Sequence, residues 1–163
     1  MRMGQRKRDI SKMSALKTSS ICMAALLSVS AASAAEFEVK MVNAGSGGMM
    51  QFEPELLKIT PGDSVRFVAV DKGHNAQSVD GMIPPGAKPF AGPIGGDLEV
   101  TLTVPGVYGY RCSPHGTLGM VGLIVVGPPL NESTAKSAAM SGAAGRVFAK
   151  LFQNLDSTRT AEK

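Results

Sequence analysis

The sequence predicts an all-β domain, a small antiparallel sandwich or barrel, followed by a helical C-terminal tail. Two observations carry this expectation. From Glu36 to Gly127, short apolar/polar alternations are separated by Pro- and Gly-containing turns. Helical periodicity appears only after Pro128-Pro129.

Taken in order, Phe37, Val39 and Met41 alternate with Glu38 and Lys40, which predicts a half-buried strand. Pro61-Gly62-Asp63 then turns the chain into the apolar run Val65–Val70. Leu98, Val100, Leu102 and Val104 alternate with Glu99, Thr101 and Thr103 before the Pro105-Gly106 turn. Val107–Arg111 leads into Cys112, and Val121–Val126 leaves Met120 as a buried run. Beyond residue 128, Asn131 offers a helix N-cap. Val147, Leu151 and Leu155, with Phe148 and Phe152, form an apolar stripe suited to covering an edge or end of the sandwich. A joint at Ser141–Gly145 divides this tail into a pair of short α-helices. The expected organisation is thus residues 35–128 as the sandwich and 129–163 as a helical appendage packed on it.

Residues 1–34 read as a secretory signal. A basic stretch precedes the apolar run Ile21–Val29, which is too short to span a bilayer, and Ala32-Ser33-Ala34 offers a cleavage site. The expectation is an exported, periplasmic protein beginning near Ala35 or Glu36, with no membrane insertion. The segment also carries the basic excess. It holds six of the 17 Lys/Arg and one of the 13 Asp/Glu, so the remainder has 11 basic and 12 acidic residues, a net charge of about −1. A nucleic-acid or membrane-surface binder is thereby excluded. Cys22 leaves with the signal, so the single Cys112 has no intramolecular disulfide partner and calls for burial or a metal. A single core of this size reads as a monomer.

The chemistry lies in Cys112-Ser113-Pro114-His115-Gly116-Thr117-Leu118-Gly119-Met120 and in His74, 38 residues before Cys112. One thiolate, two imidazoles and a thioether suit a copper centre that changes oxidation state. Thiolate and thioether favour Cu(I), and imidazole serves both states. Cys112 ends one strand, Met120 begins the next and His115 lies between them, so three of the four donors come from one strand–loop–strand unit. His74, Cys112 and His115 are the strong in-plane candidates and Met120 the weak axial one. Pro114 stiffens the loop and has no N–H to aim at the thiolate. Asn75 is placed to tie its side chain to a neighbouring loop and its backbone N–H to the Cys112 sulfur. A structural zinc site is excluded, since the exported chain has only three good N/S donors. A Cys112–His115 nucleophile pair leaves His74 and Met120 without a role, so an enzyme is not expected.

Asp71-Lys72-Gly73-His74-Asn75, Met82-Ile83-Pro84, Tyr110–His115 and Gly119-Met120 resemble the pseudoazurins, cupredoxins of the plastocyanin/azurin superfamily. Phe52-Glu53-Pro54 and the paired C-terminal helices fit as well, and the resemblance spans residues 36–157. It implies a Greek-key cupredoxin β-sandwich of about eight strands and one type 1 (blue) copper per chain. It further implies a periplasmic shuttle of single electrons, with a nitrite or nitrous oxide reductase, a c-type cytochrome or a similar redox protein as partner. By the same resemblance His115 is the partly exposed ligand through which electrons pass, and Met50 lies against the copper loop.

The chain departs from the family at Lys40, where an extra histidine is frequent, and at Ala44, where a lysine is frequent. Lys72, Lys88 and Arg111 are the residues left to supply a basic docking ring. The alternative function is a copper carrier that hands over metal in place of electrons. Met49-Met50 is its main support, because four of the ten methionines lie in the signal segment.

Overall fold

The alternation at the start of the domain folds as β1 (Glu36–Gly45), with Val39 and Met41 turned into the core and Glu38 and Lys40 exposed. It turns through a hairpin into β2 (Gly48–Glu53), and the chain then crosses to a second sheet at the cis Glu53–Pro54 bond. There follow β3 (Leu56–Ile59), β4 (Ser64–Ala69), β5 (Gln77–Ser78), β6 (Leu98–Thr101), β7 (Gly106–Arg111) and β8 (Val121–Val126). One sheet has the order β2-β1-β4-β6 and the other β3-β8-β7-β5. The computed structural model describes Met1 and residues 33–161, with side chains to residue 158. The chain divides between residues 32 and 33 into two units, so the expected signal segment lies almost wholly outside the described residues.

The fold is the expected all-β Greek-key sandwich with two C-terminal helices, but its sheets are mixed, which corrects the antiparallel expectation. β1 runs parallel to β4 from Glu36↔Ser64 to Met41↔Ala69, and β3 runs parallel to β8. The cause is connectivity. The chain changes sheets at every connection from β2 to β7, so the strands of the β1–β4 and β3–β8 pairs are not joined by a hairpin and are free to run in the same direction.

Two apolar clusters result. Between the sheets lie Val39, Met41, Phe52, Val65, Phe67, Tyr108, Tyr110, Ile124 and Val126, together with Cys112 and Met120. Tyr110 sits edge-on to both Phe52 and Phe67, with centroids 4.8 and 5.0 Å away. The opposite face of the second sheet contributes Val107, Val121, Leu123 and Val125 to a second cluster under the helices. Both faces of β8 are therefore covered, which explains why all six of its residues are buried and why its sequence does not alternate.

The helices are α1 (Glu132–Ala138) and α2 (Gly142–Ala161). Ala144, Phe148, Leu151, Phe152 and Leu155 of α2 close the second cluster. The tail covers a face of the sandwich, where an edge or end was expected. The joint is also shorter than Ser141–Gly145, because the Gly145 N–H bonds to the Ser141 carbonyl (3.3 Å) and draws residues 142–145 into the first turn of α2. α2 itself runs for 20 residues.

Asn131 occupies the N-cap position of α1 without a side-chain capping bond. Its Oδ1 accepts the Val107 N–H (2.7 Å) and its Nδ2 donates to the Val107 carbonyl (3.0 Å). On β7, β5 reaches only Tyr110 and Arg111, so the lower edge of β7 is open at Val107, and Asn131 completes it. At the start of the domain, Asp63 accepts the Ala35 N–H (2.8 Å) and the Thr60 N–H and hydroxyl (both 2.8 Å). That carboxylate fixes the entry of β1 to the turn before β4.

Candidate metal centre

The connectivity that makes the sheets mixed also brings His74 to Cys112. The link from β4 to β5 passes over one end of the sandwich, and Gly73 (φ +92°) lets it turn sharply into His74. The His74 carbonyl accepts the Gly95 N–H (2.7 Å), which pins this link to the segment before β6. Cys112 leaves the end of β7 with its N–H on the Met120 carbonyl (3.0 Å). Between them, the Gly116 N–H bonds back to Cys112 (2.8 Å), and a 3-10 turn over Gly116–Leu118 closes on Gly119 at φ +109°. The Met120 N–H returns to the His115 carbonyl at 3.2 Å. The loop is therefore a closed hydrogen-bonded ring, with His115 and Met120 fixed by the same acceptor–donor pair.

Three donor atoms converge. His74 Nδ1 and His115 Nδ1 are 3.0 Å apart, and Cys112 Sγ lies 3.8 Å from the first and 3.6 Å from the second. His74 and Cys112 are fully buried, and His115 is half-buried. Met120, 1 % exposed, packs in the same cluster as Cys112. Burial first, and the neighbouring His115 imidazole second, push the His74 pKa down, which favours the neutral ring that a metal requires.

The far side of His74 decides its tautomer. Nε2 lies 2.9 Å from Asn43 Oδ1, and a carbonyl oxygen only accepts. Nε2 thus carries the proton, and the Nδ1 lone pair faces the cluster. Asn43 is itself held, since its N–H donates to Asp71 Oδ2 at 2.6 Å. Two imidazole nitrogens and one sulfur, converging in a largely dry pocket, fit copper by donor type.

Asn75 ties its side chain to the loop: Oδ1 accepts the Ser113 N–H (2.8 Å), and Nδ2 donates to the Gly92 carbonyl (3.0 Å) and Ser113 Oγ (3.1 Å). Ser113 Oγ in turn donates to Gln77 Oε1 (2.7 Å). Met50, at φ +54°, packs against the cluster that contains Cys112 and Met120. Pro114 is exposed on the loop. Arg111 lays its stem along Gly116, where a Cβ would meet its side-chain carbons at 3.3 Å. Lys72 is exposed two residues before His74. Lys88 is not brought to this rim; it lines a depression with Thr101, Thr103, Val104 and Tyr108, beside the start of β7 and not its end.

Sequence reasoning missed Asn43 and Gln77. Asn43 left a faint signal, a poor strand former inside an otherwise regular β-run. Gln77 left none, because its role depends on the two-residue β5 lying against Arg111.

A β-sandwich that gathers two histidines, a cysteine and a methionine at one end defines the cupredoxin class of small copper proteins. The profile of copper binding proteins of the plastocyanin/azurin family matches residues 39–127. The chain is 43% identical to a pseudoazurin of Methylorubrum extorquens, over 76% of this chain and 84% of that protein. It is also 43% identical to a pseudoazurin of Paracoccus pantotrophus, over 80% of this chain and 92% of the other. The crystal structure of pseudoazurin from Methylobacterium extorquens AM1 superposes with a TM-score of 0.71 at 40% identity, over 74% of this chain and 98% of that one. The chain belongs to the plastocyanin/azurin family of copper proteins, and within it to the pseudoazurins. Copper is its cofactor, and carrying electrons is its function.

Proposed function

We propose that the protein shuttles single electrons in the periplasm through one type 1 copper, held by His74, Cys112 and His115 with Met120 as the weak fourth donor. The convergence of the two Nδ1 atoms on Cys112 Sγ carries this reading. Bound there, copper supplies a one-electron couple. The residues do the rest. Asn43 and the Asn75–Ser113 bonds hold the donors in one arrangement. Burial of His74 and Cys112 keeps water from the thiolate. His115 brings its half-exposed ring to the surface beside Pro114 and Leu118, so a partner docking there comes within short range of the donor set. The same burial speaks against a hand-over site, which needs donors that an acceptor protein can reach.

Export rests on the signal-like leader, with cleavage before Ala35 or Glu36. The partner is another redox protein, a nitrite or nitrous oxide reductase or a c-type cytochrome. Lys72 and Arg111 are the cations beside the donor-bearing loops, so steering by charge is weak. Electron-transfer rates with an acidic partner should fall only modestly between low and physiological ionic strength. A steep fall would mean that a larger basic patch, Lys88 included, guides docking.

The primary test is the visible and EPR spectrum after one equivalent of Cu(II). An intense blue band with narrow hyperfine splitting is expected, and Cys112→Ser should remove the band while leaving the fold intact. A colourless protein with Cys112 still open to a thiol reagent would defeat the electron-shuttle reading.

A further inference from the structure

Met120 differs from the other three donors in what holds it. A thioether at long range bonds too weakly to fix its own position, so the protein must set how near it stands to the His–Cys–His cluster. Its side chain lies in the cluster between the sheets, while its two chain neighbours face the other way. Gly119 lies under the first two turns of α2: a Cβ there would sit 3.4 Å from Val147 Cγ2 and 3.9 Å from Ala143. Val121 is buried in the cluster that Ala144 and Phe148 close. The chain on each side of Met120 is thus lined from outside by α2, within a methyl group's reach at Gly119 and in a shared apolar cluster at Val121.

We propose that Val147 is a positioning residue for the copper site, and that the N-terminal half of α2 sets the approach of the Met120 thioether by backing Gly119 and Val121. The proposal rests on Met120 being the weak donor. The C-terminal helix then does more than cover the sheet, since it stiffens the one donor that the metal cannot hold for itself. Val147 acts through the backbone and makes no contact with the metal. Removing its methyl groups opens space on the outer side of the loop, and the thioether withdraws. A thioether as a ligand type suits Cu(I), but the electron density that a fourth donor adds stabilises the more highly charged Cu(II) more, so its withdrawal raises the reduction potential.

Val147→Ala in the full copper-loaded protein should retain copper and its blue band, shift the potential upward and alter the EPR anisotropy. In the copper-free protein the Met120 and Val121 amides should exchange faster with solvent than in the parent. Leu155→Val serves as the control. It lies eight residues further along α2, about 12 Å away, near the end where Thr158 meets Lys58. It should lower the melting temperature without moving the potential or those two amides. Equal shifts in both variants would reduce the effect to general loosening and overturn the proposal. Met120→Gln separates the two readings. A shift with Met120→Gln but none with Val147→Ala defeats the backing role alone. No shift with Met120→Gln removes Met120 as a donor, and the proposal falls with it.

Discussion

Asn43 shows how one exposed strand residue decides the chemistry of a buried one. Its Oδ1 accepts a hydrogen bond from His74 Nε2–H and so leaves the Nδ1 lone pair facing Cys112. Replacing it with Ala frees the ring to change tautomer and to turn. Copper affinity, read by competition with a chelator, should drop by about 10-fold or more, in the range typical of partners that orient a ligating histidine. An unchanged affinity would mean that burial alone orients the ring. The four donor residues were legible because their types are scarce: the chain has two histidines, and Cys112, His115 and Met120 share one loop. Asn43 was not, because asparagine is common and its partner lies 31 residues away. The place of Lys88 was hidden for a related reason, since it depends on the path of the β5–β6 segment.

At the scale of elements, the lesson concerns edges. β7 is paired along its length with β8, but its other edge meets the two residues of β5, the Val79 N–H and the Met82 carbonyl at Gly109, and Asn131. Asn131→Ala would strand a buried N–H and a buried carbonyl on Val107, at roughly 1–3 kcal/mol for each unsatisfied group. A loss of about 2 kcal/mol or more is expected in urea unfolding, with the blue spectrum retained, because Val107 lies at the end of β7 away from Cys112. A loss of a few tenths would show that water replaces the side chain. Strand positions were readable where one face meets solvent, as in β1. The parallel pairs were not, since period-two patterning reports which residues face inward and carries nothing about the direction of a neighbour. The same limit applied to the tail, whose stripe announced a helix but not which surface it would cover.

For the molecule as a whole, the turn at Asp63 joins the first described residues to both sheets. Hydrogen bonds from Ala35 first, then from Thr60, hold the Asp63 carboxyl below its ordinary pKa. A group whose folded pKa is depressed adds stability above its unfolded value, near 3.9, and loses it as the pH falls through the folded value. Asp63→Asn should therefore be less stable than the parent at neutral pH, and the two stability curves should converge as the solution is acidified below about pH 4. Parallel curves would show that the carboxylate acts only by shape. Asp63 was visible in the sequence as a turn residue after Pro61-Gly62, but its reach back to residue 35 was not.

That reach has a consequence for export. The nitrogen 2.8 Å from Asp63 belongs to Ala35, one of the two residues, with Glu36, at which the mature chain is proposed to begin. While the leader is attached, this nitrogen is a neutral amide. Cleavage before Glu36 would remove the contact. With cleavage before Ala35, the same atom becomes a cationic amine facing a carboxylate already in place, and a neutral contact becomes an ion pair. Removal of the leader would then do two things at once: release the protein and tighten its first strand, so that the processed form is the sturdier one.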